Sequence, residues 1–123
     1  LMASKFDLPE PKDSEIFTSF DDCPIPEELL RGIYSYGFEK PSIVQQRAIL
    51  PLLQGRHVIC QAKSGTGAMS AAVIGALGRI DTSRMKCQFV MLVATRELSQ
   101  GSQWVVSQLG KFLNVTTVAL HGG

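Results

Sequence analysis

Three things are scarce in this sequence, and each scarcity excludes something. No apolar run comes near the ~20 residues that a membrane-spanning helix needs, so no helical membrane anchor is expected among the 123 residues. Residues 1–19 are polar, acidic and proline-containing, and they lack the apolar centre of a secretion signal. Charge excess is the second scarcity. Twelve Lys and Arg face eleven Asp and Glu, a net charge of +1, which leaves a local basic face as the only electrostatic route to nucleic acid or acidic lipid. Metal-ligating and redox residues are the third. The cysteines, Cys23, Cys60 and Cys87, are odd in number and lack ligand spacing, and the two histidines, His57 and His121, stand at opposite ends of strand-like runs. Unpaired thiols, no metal site and a reducing compartment follow. A soluble intracellular protein, cytoplasmic or nuclear, without a membrane partner, is the expectation.

What is present is enough for one small domain: 45% of the residues are hydrophobic and 19% are charged. Residues 1–19, with Pro9 and Pro11 among Asp, Glu, Lys and Ser, hold too little apolar surface to offset the entropy of ordering, so a flexible arm is expected there. A helix follows in PEELLRGIYSYGF, with Leu29, Leu30, Ile33 and Tyr34 at helical spacing, Glu27 and Glu28 in the first turn and Gly37 at its end. Ser42 opens a second helix with Gln45 in capping-box position, Val44, Ala48, Ile49 and Leu52 form its stripe, and Gly55 stops it. Residues 57–61, 87–94 and 114–120 read as strands, and residues 67–79 and the stretch from Thr95 through Leu98, Val105, Leu109 and Phe112 read as helices. Alternation of strand and helix predicts an α/β domain: a parallel sheet of about three strands with right-handed crossovers and flanking helices. Ligands on such sheets bind beyond the carboxyl ends of the strands, where AKSGTG, ATRELSQG and HGG collect.

The stretch ICQAKSGTGAMSAAVIGAL, residues 59–77, runs from a β-branched strand through a Gly-rich turn into an Ala-rich helix. Gly65 and Gly67 permit the inward-facing N–H groups and close backbone approach that a phosphate-cradling loop requires, and the helix behind adds the positive end of its dipole. A complete loop of this kind continues with a Lys for the terminal phosphates and a hydroxyl for Mg²⁺; here those places hold Ala68 and Met69. Ser70 does not replace the hydroxyl, because one residue rotates a side chain about 100° around the helix axis. Lys63 precedes the turn and approaches from the other side.

Together these motifs resemble DEAD-box RNA helicases. FDDCPIPEELLRGIYSYGFEKPSIVQQRAILP is similar to that family's Q motif, with the isolated aromatic Phe20, the pair Gly37 and Phe38, then Pro41, Ser42 and Gln45. AKSGTG resembles motif I, ATRELSQG motif Ia, and the terminal GG motif Ib. Within the family the wording is especially similar to the translation-initiation branch, and the likeness runs from Phe20 to Gly123. The resemblance implies a RecA-like P-loop domain that binds ATP or ADP and RNA. It implies nucleotide contacts from Phe20, Phe38, Lys40, Gln45, Ala62, Lys63, Ser64, Gly65, Thr66, Gly67, Ala68 and Met69, with Phe20 stacking on adenine and Gln45 bonding its edge. RNA-backbone contacts are implied for Thr95, Arg96, Glu97, Gly122 and Gly123. Each has a plainer reading beside it: Gln45 as partner of Ser42 in a capping box, Phe20 as a plug on the second helix, Thr95 as a helix cap, the Gly pair as a frayed end.

The departures weigh as much as the matches. Ala68 and Met69 replace the family's Lys and Thr, Ala94 replaces a Pro, and Gly101 replaces a Gln inside a helix. Nucleotide binding is therefore expected to be weak, the Mg²⁺ ligands of the intact family are missing, no catalytic residue is assigned, and hydrolysis by this chain is not expected. The resemblance also implies that the Mg²⁺-holding DEAD strand, the SAT motif and a second RecA-like domain lie beyond Gly123, and that the DEAD strand fits between the motif I and motif Ia strands. A gap in the sheet and a need for another chain to fill it are expected. Two functions stand: the nucleotide- and RNA-binding N-terminal portion of an ATP-dependent helicase, or a catalytically dead helicase-like module that binds RNA or protein.

Overall fold

A computed structural model describes residues 16–122. Most of the expected arm, and Gly123, lie outside that range. The end of the arm departs from expectation: Phe17 is buried against Phe20, and the Ser19 hydroxyl accepts from the Asp21 N–H to start a 3₁₀ turn, Phe20–Asp22. Four α-helices follow: α1 (Glu27–Tyr36), α2 (Ile43–Leu53), α3 (Ala68–Leu77) and α4 (Arg96–Leu109).

Each helix begins and ends where its sequence dictates. Glu27 and Glu28 lie in the first turn of α1, where they complement the helix dipole. Gly37, at φ 109°, closes α1 in a left-handed cap, its N–H on the Tyr34 carbonyl and that of Phe38 on the Ile33 carbonyl. Ser42 and Gln45 form the full capping box of α2. Thr95 caps α4 by accepting from the Leu98 N–H at 3.1 Å.

The core is a helical layer with α3 at its centre. AMSAAVIGAL is apolar almost all round, and Ala71, Val73, Ile74 and Leu77 are buried, which is the pattern of a helix enclosed on several sides. α2 packs along α3 and α4 crosses α1 and α3. Two glycines set these distances. Gly32 on α1 meets the Leu109 carbonyl of α4 so closely that a Cβ would overlap it, and a Cβ on Gly75 would lie 2.6 Å from Cβ of Leu52. Cys23 is buried in the same core, and desolvation pushes its thiol up from 9.0 to about 11. Cys60 and Cys87 are exposed, so of the three thiols only Cys23 is a core residue.

The expected strands are the main correction. Among the described residues no strand is formed; residues 57–61, 87–94 and 114–120 carry no ladder. They keep the period-two exposure of extended chain: Phe89, Met91 and Val115 pack on the helical core, whereas Ile59, Val90, Leu92, Val118 and Leu120 face outward, Leu92 being 92% exposed. A ladder requires a neighbour within about 4.8 Å along its length. Instead, a cavity of about 400 Å³ opens between residues 87–89 and 114–118. Among the described residues the helical layer is thus built, and the extended segments that were expected to form a sheet are left unzipped.

The close α2–α3 approach predicts that Gly75→Ala destabilises the fold by about 1–3 kcal/mol through overpacking. Gly101, exposed on α4 with open space around it, predicts the reverse: Gly101→Ala stabilises by up to about 1 kcal/mol through helix propensity. Urea unfolding of the two variants beside the parent checks both signs.

Candidate functional site

The Gly-rich loop spans the space between the start of α2 and the start of α3. Thr66 tightens it, donating from its backbone N–H at 3.3 Å and from its hydroxyl at 2.6 Å to the Lys63 carbonyl. Gly65, at φ 80°, has nothing within 4 Å of the position a Cβ would take, so its open side faces free space. Beside it lies a cleft of about 480 Å³ lined by Ser42, Ile43 and Val44 from α2 and by Gln61, Ala62, Lys63, Gly65 and Thr66 from the loop. Ala62, Lys63, Ser64 and Ala68 are exposed. Lys63, expected to come from the far side of the turn, lines the cleft.

Below the loop is a buried polar chain whose polarity is fixed at both ends. The Ser42 N–H can only donate, so the Gln45 atom it meets at 2.9 Å is Oε1. That leaves Nε2 to donate to Ser70 Oγ at 2.9 Å. The Gly67 carbonyl can only accept, so the Ser70 hydroxyl proton is directed there, at 3.0 Å. The Gln45 N–H donates in turn to Ser42 Oγ at 3.3 Å, closing the capping box. Among the described residues no buried side-chain nitrogen or oxygen lacks a partner. Gly67, at φ 97°, sits directly over this chain, and a Cβ there would lie 2.8 Å from Gln45 Nε2. Glycine is required at that position by dihedral and by space together.

The two residues expected at adenine, Gln45 and Phe20, are both buried in this structure. Gln45 is only 2% exposed, does not line the cleft, and uses both ends of its amide on Ser42 and Ser70, so as placed it presents no edge to a base. Phe20 is 0% exposed, with ring centroids of Phe17, Tyr34 and Phe38 at 6.1–6.4 Å, and has no open face for stacking. The plainer readings of both residues, capping partner and core plug, describe their geometry. Phe38 is half-buried between Phe20 and Tyr36, and Lys40 is exposed. Tyr34 holds the aromatic group at its rim by donating to Asp21 at 2.7 Å; that bond and the Asp21 charge push its phenol up.

The two substituted positions have separate fates. Ala68 ends in solvent with nothing to extend toward a ligand. Met69 is half-buried and turned toward α4, where the Ser102 hydroxyl lies 3.7 Å from its sulfur. Ser70 is a buried strut, as its rotation around the helix requires.

On another part of the loop edge, Arg96 donates to the Gly122 carbonyl, bringing the start of α4 and the end of the third extended segment together. Thr95 is engaged as the α4 cap, and Glu97 is exposed in the first turn. Among the described residues no cluster of His, Cys, Asp or Glu is arranged to hold a metal. Sequence reasoning missed Ile43, Val44 and Gln61 as walls of the cleft; Ile43, an exposed isoleucine outside the apolar stripe of α2, was the available signal.

The capping box predicts that Ser42→Ala costs about 1 kcal/mol, since it removes the acceptor for the Gln45 N–H. Thermal or urea unfolding reads this, and an unchanged midpoint would contradict it.

Comparison with known proteins agrees with the architecture. The family model of DEAD/DEAH box helicases matches residues 42–123. Among curated proteins the chain is similar to eukaryotic initiation factor 4A of Drosophila melanogaster, 52% identical over 109 residues, and to the ATP-dependent RNA helicase eIF4A of Schizosaccharomyces pombe, 51% identical over 109 residues. Both alignments cover 89% of this chain but only 27% and 28% of the relatives, so the chain spans about a quarter of their length. Among solved structures it resembles the RNA helicase Prp28 from Chaetomium thermophilum bound to ADP, with a TM-score of 0.78, 26% identity, and 88% of this chain and 28% of that one covered. It also resembles S. cerevisiae Dbp5 bound to RNA and ADP BeF3, with a TM-score of 0.69, 40% identity, and 76% and 25% covered. These neighbours are RecA-like helicase domains, and the helices and loop described above are this chain's share of that fold. The chain belongs to the DEAD/DEAH box helicase family.

Proposed function

We propose that this chain is the nucleotide-binding N-terminal portion of an ATP-dependent RNA helicase similar to initiation factor 4A, with hydrolysis impaired at the loop itself. The observation that carries this is the open cleft beside Gly65, walled by the first turn of α2 and the Gly-rich loop. ADP or ATP is the ligand class, held weakly. Ser64, Gly65 and Gly67 supply backbone N–H groups around the phosphates, Thr66 holds the turn through its two bonds to the Lys63 carbonyl, and Ala62 and Lys63 line the same wall. Phe38 and Lys40 flank the entry to α2, and Ala68 and Met69 occupy the places of the missing cation and hydroxyl. A charge-assisted hydrogen bond is worth about 1.5–3 kcal/mol, so loss of the Lys weakens triphosphate binding roughly ten- to hundredfold. Its absence weighs more on the chemical step, where charge develops on the phosphoryl oxygens. RNA is the proposed second ligand, with Thr95, Arg96, Glu97, Gly122 and Gly123 at its backbone.

The second reading, a catalytically dead helicase-like module that binds RNA or protein, is favoured by a specific observation. Met69 is engaged with Ser102 on α4, its sulfur 3.7 Å from the hydroxyl, so this position serves packing between α3 and α4. In either reading the outward apolar residues Ile59, Val90, Leu92, Val118 and Leu120 require cover, and a further segment or another protein chain completing the sheet supplies it.

Calorimetry on the 123-residue chain is expected to show ADP binding with little gain from Mg²⁺, and the double variant Ala68→Lys, Met69→Thr is expected to gain ten- to hundredfold in Mg²⁺-dependent ATP affinity. Strong Mg²⁺-dependent ATP binding by the parent chain would overturn the reading. Light scattering is expected to show self-association of the chain by itself; a cooperative, stable monomer would refute the unzipped sheet.

A further inference from the structure

The loop that lacks a lysine after its last glycine has one ahead of its first. Lys63 opens the turn two residues before Gly65, and it lies on the wall of the cleft of about 480 Å³ that Gly65 and Thr66 also line. Its backbone is held there. Thr66 donates twice to the Lys63 carbonyl, from its N–H at 3.3 Å and its hydroxyl at 2.6 Å, so the residue is fixed at the head of the turn while it stays exposed. Among the described residues no hydrogen bond or ion pair engages its ammonium. The remaining wall, Ser42, Ile43, Val44, Gln61 and Ala62, is neutral, so Lys63 is the one charged residue that meets the cleft. An anion entering there finds a cation to pair with and no carboxylate to repel it. Ala68, exposed on the far side of Gly67, has no polar group with which to compete for that anion.

We propose that Lys63 is the phosphate-pairing residue of the cleft: from the leading end of the turn it supplies the positive charge that Ala68 does not supply at the trailing end, and it makes diphosphates the ligands of this site without help from Mg²⁺. This rests on the reading of the cleft as a nucleotide site. Lys63 stands five residues before Ala68, at the opposite end of the loop, so it pairs with phosphate oxygens there and does not restore the hydroxyl contact to Mg²⁺ that Met69 lacks. Binding is kept and hydrolysis is not. A lysine is a point charge on a flexible stem, so its contribution at an exposed position is electrostatic and falls with salt.

The test is calorimetry of ADP and of pyrophosphate, without Mg²⁺ and at low and high salt, on the 123-residue chain and on three variants. Lys63→Gln keeps a long polar side chain and removes the charge; it is expected to weaken both ligands about tenfold at low salt, the low end for a charge-assisted bond because the residue is exposed, and to flatten their salt dependence. Lys63→Arg keeps the charge and is expected to bind both within about threefold of the parent. Lys86→Gln removes the same charge from the wall of the other cavity and is expected to leave both affinities within about twofold. Full affinity for ADP and pyrophosphate in Lys63→Gln would overturn the proposal while the nucleotide site itself stood. Equal losses in Lys63→Gln and Lys86→Gln would overturn it by making net charge the cause, and a loss for ADP without one for pyrophosphate would overturn it by moving Lys63 away from the phosphates. A loss shared by Lys63→Arg, or accompanied by a lower unfolding midpoint, would overturn it by locating the damage in the turn. Failure of ADP and pyrophosphate alike to bind the parent chain would bring down the nucleotide reading and this proposal with it.

Discussion

The structure depends on the hydrogen bond between Gln45 and Ser70. It joins the two helices that form the central interface, and it lies where burial makes an unmet amide or hydroxyl costly, about 1–3 kcal/mol for each group left without a partner. Because the Ser42 N–H fixes the direction at one end and the Gly67 carbonyl fixes it at the other, the chain of four residues has one consistent arrangement of donors and acceptors. The Gly-rich loop inherits that definition. Gly67 is held from below by Ser70 and roofs the amide of Gln45, so the fold itself defines the loop at this position.

The same node explains what the sequence showed and what it hid. The capping box of α2 was legible, since Ser and Gln three apart before an apolar stripe interact within one turn. The α4 cap at Thr95 and the left-handed Gly37 were legible for the same local reason. The fate of the Gln45 donor was not, because Ser70 is twenty-five residues away and only the packing of α2 on α3 brings it within reach. Phe20 was hidden similarly: an isolated aromatic before a helix reads equally as a stacking platform or a plug, and the rings that bury it here come from Phe17, Tyr34 and Phe38. Family resemblance pointed to the loop, and the packing that surrounds Gln45 and Phe20 comes from residues far from them in the chain.

The absence of a ladder among the described residues has a different cause. Runs such as CQFVMLVA have the composition of a buried strand, and their period-two exposure survives in the fold. Periodicity describes a segment, whereas a ladder is a property of a pair. Helices satisfy their backbone groups internally and form in this span; the extended segments depend on neighbours and remain unpaired. Inward residues such as Phe89 and Met91 find the helical core, and outward ones such as Leu92 find none.

The account stands on the amide of Gln45 being committed within the protein, and nitrogen–proton correlation spectra during titration with ADP observe that amide directly. In the free protein the side-chain amide pair of Gln45 is predicted to be slow to exchange with solvent, and the backbone signals of residues 64–67 are predicted to move on addition of ADP. Fast solvent exchange of that side-chain pair in the free protein, or loop signals that stay still under ADP, would contradict it.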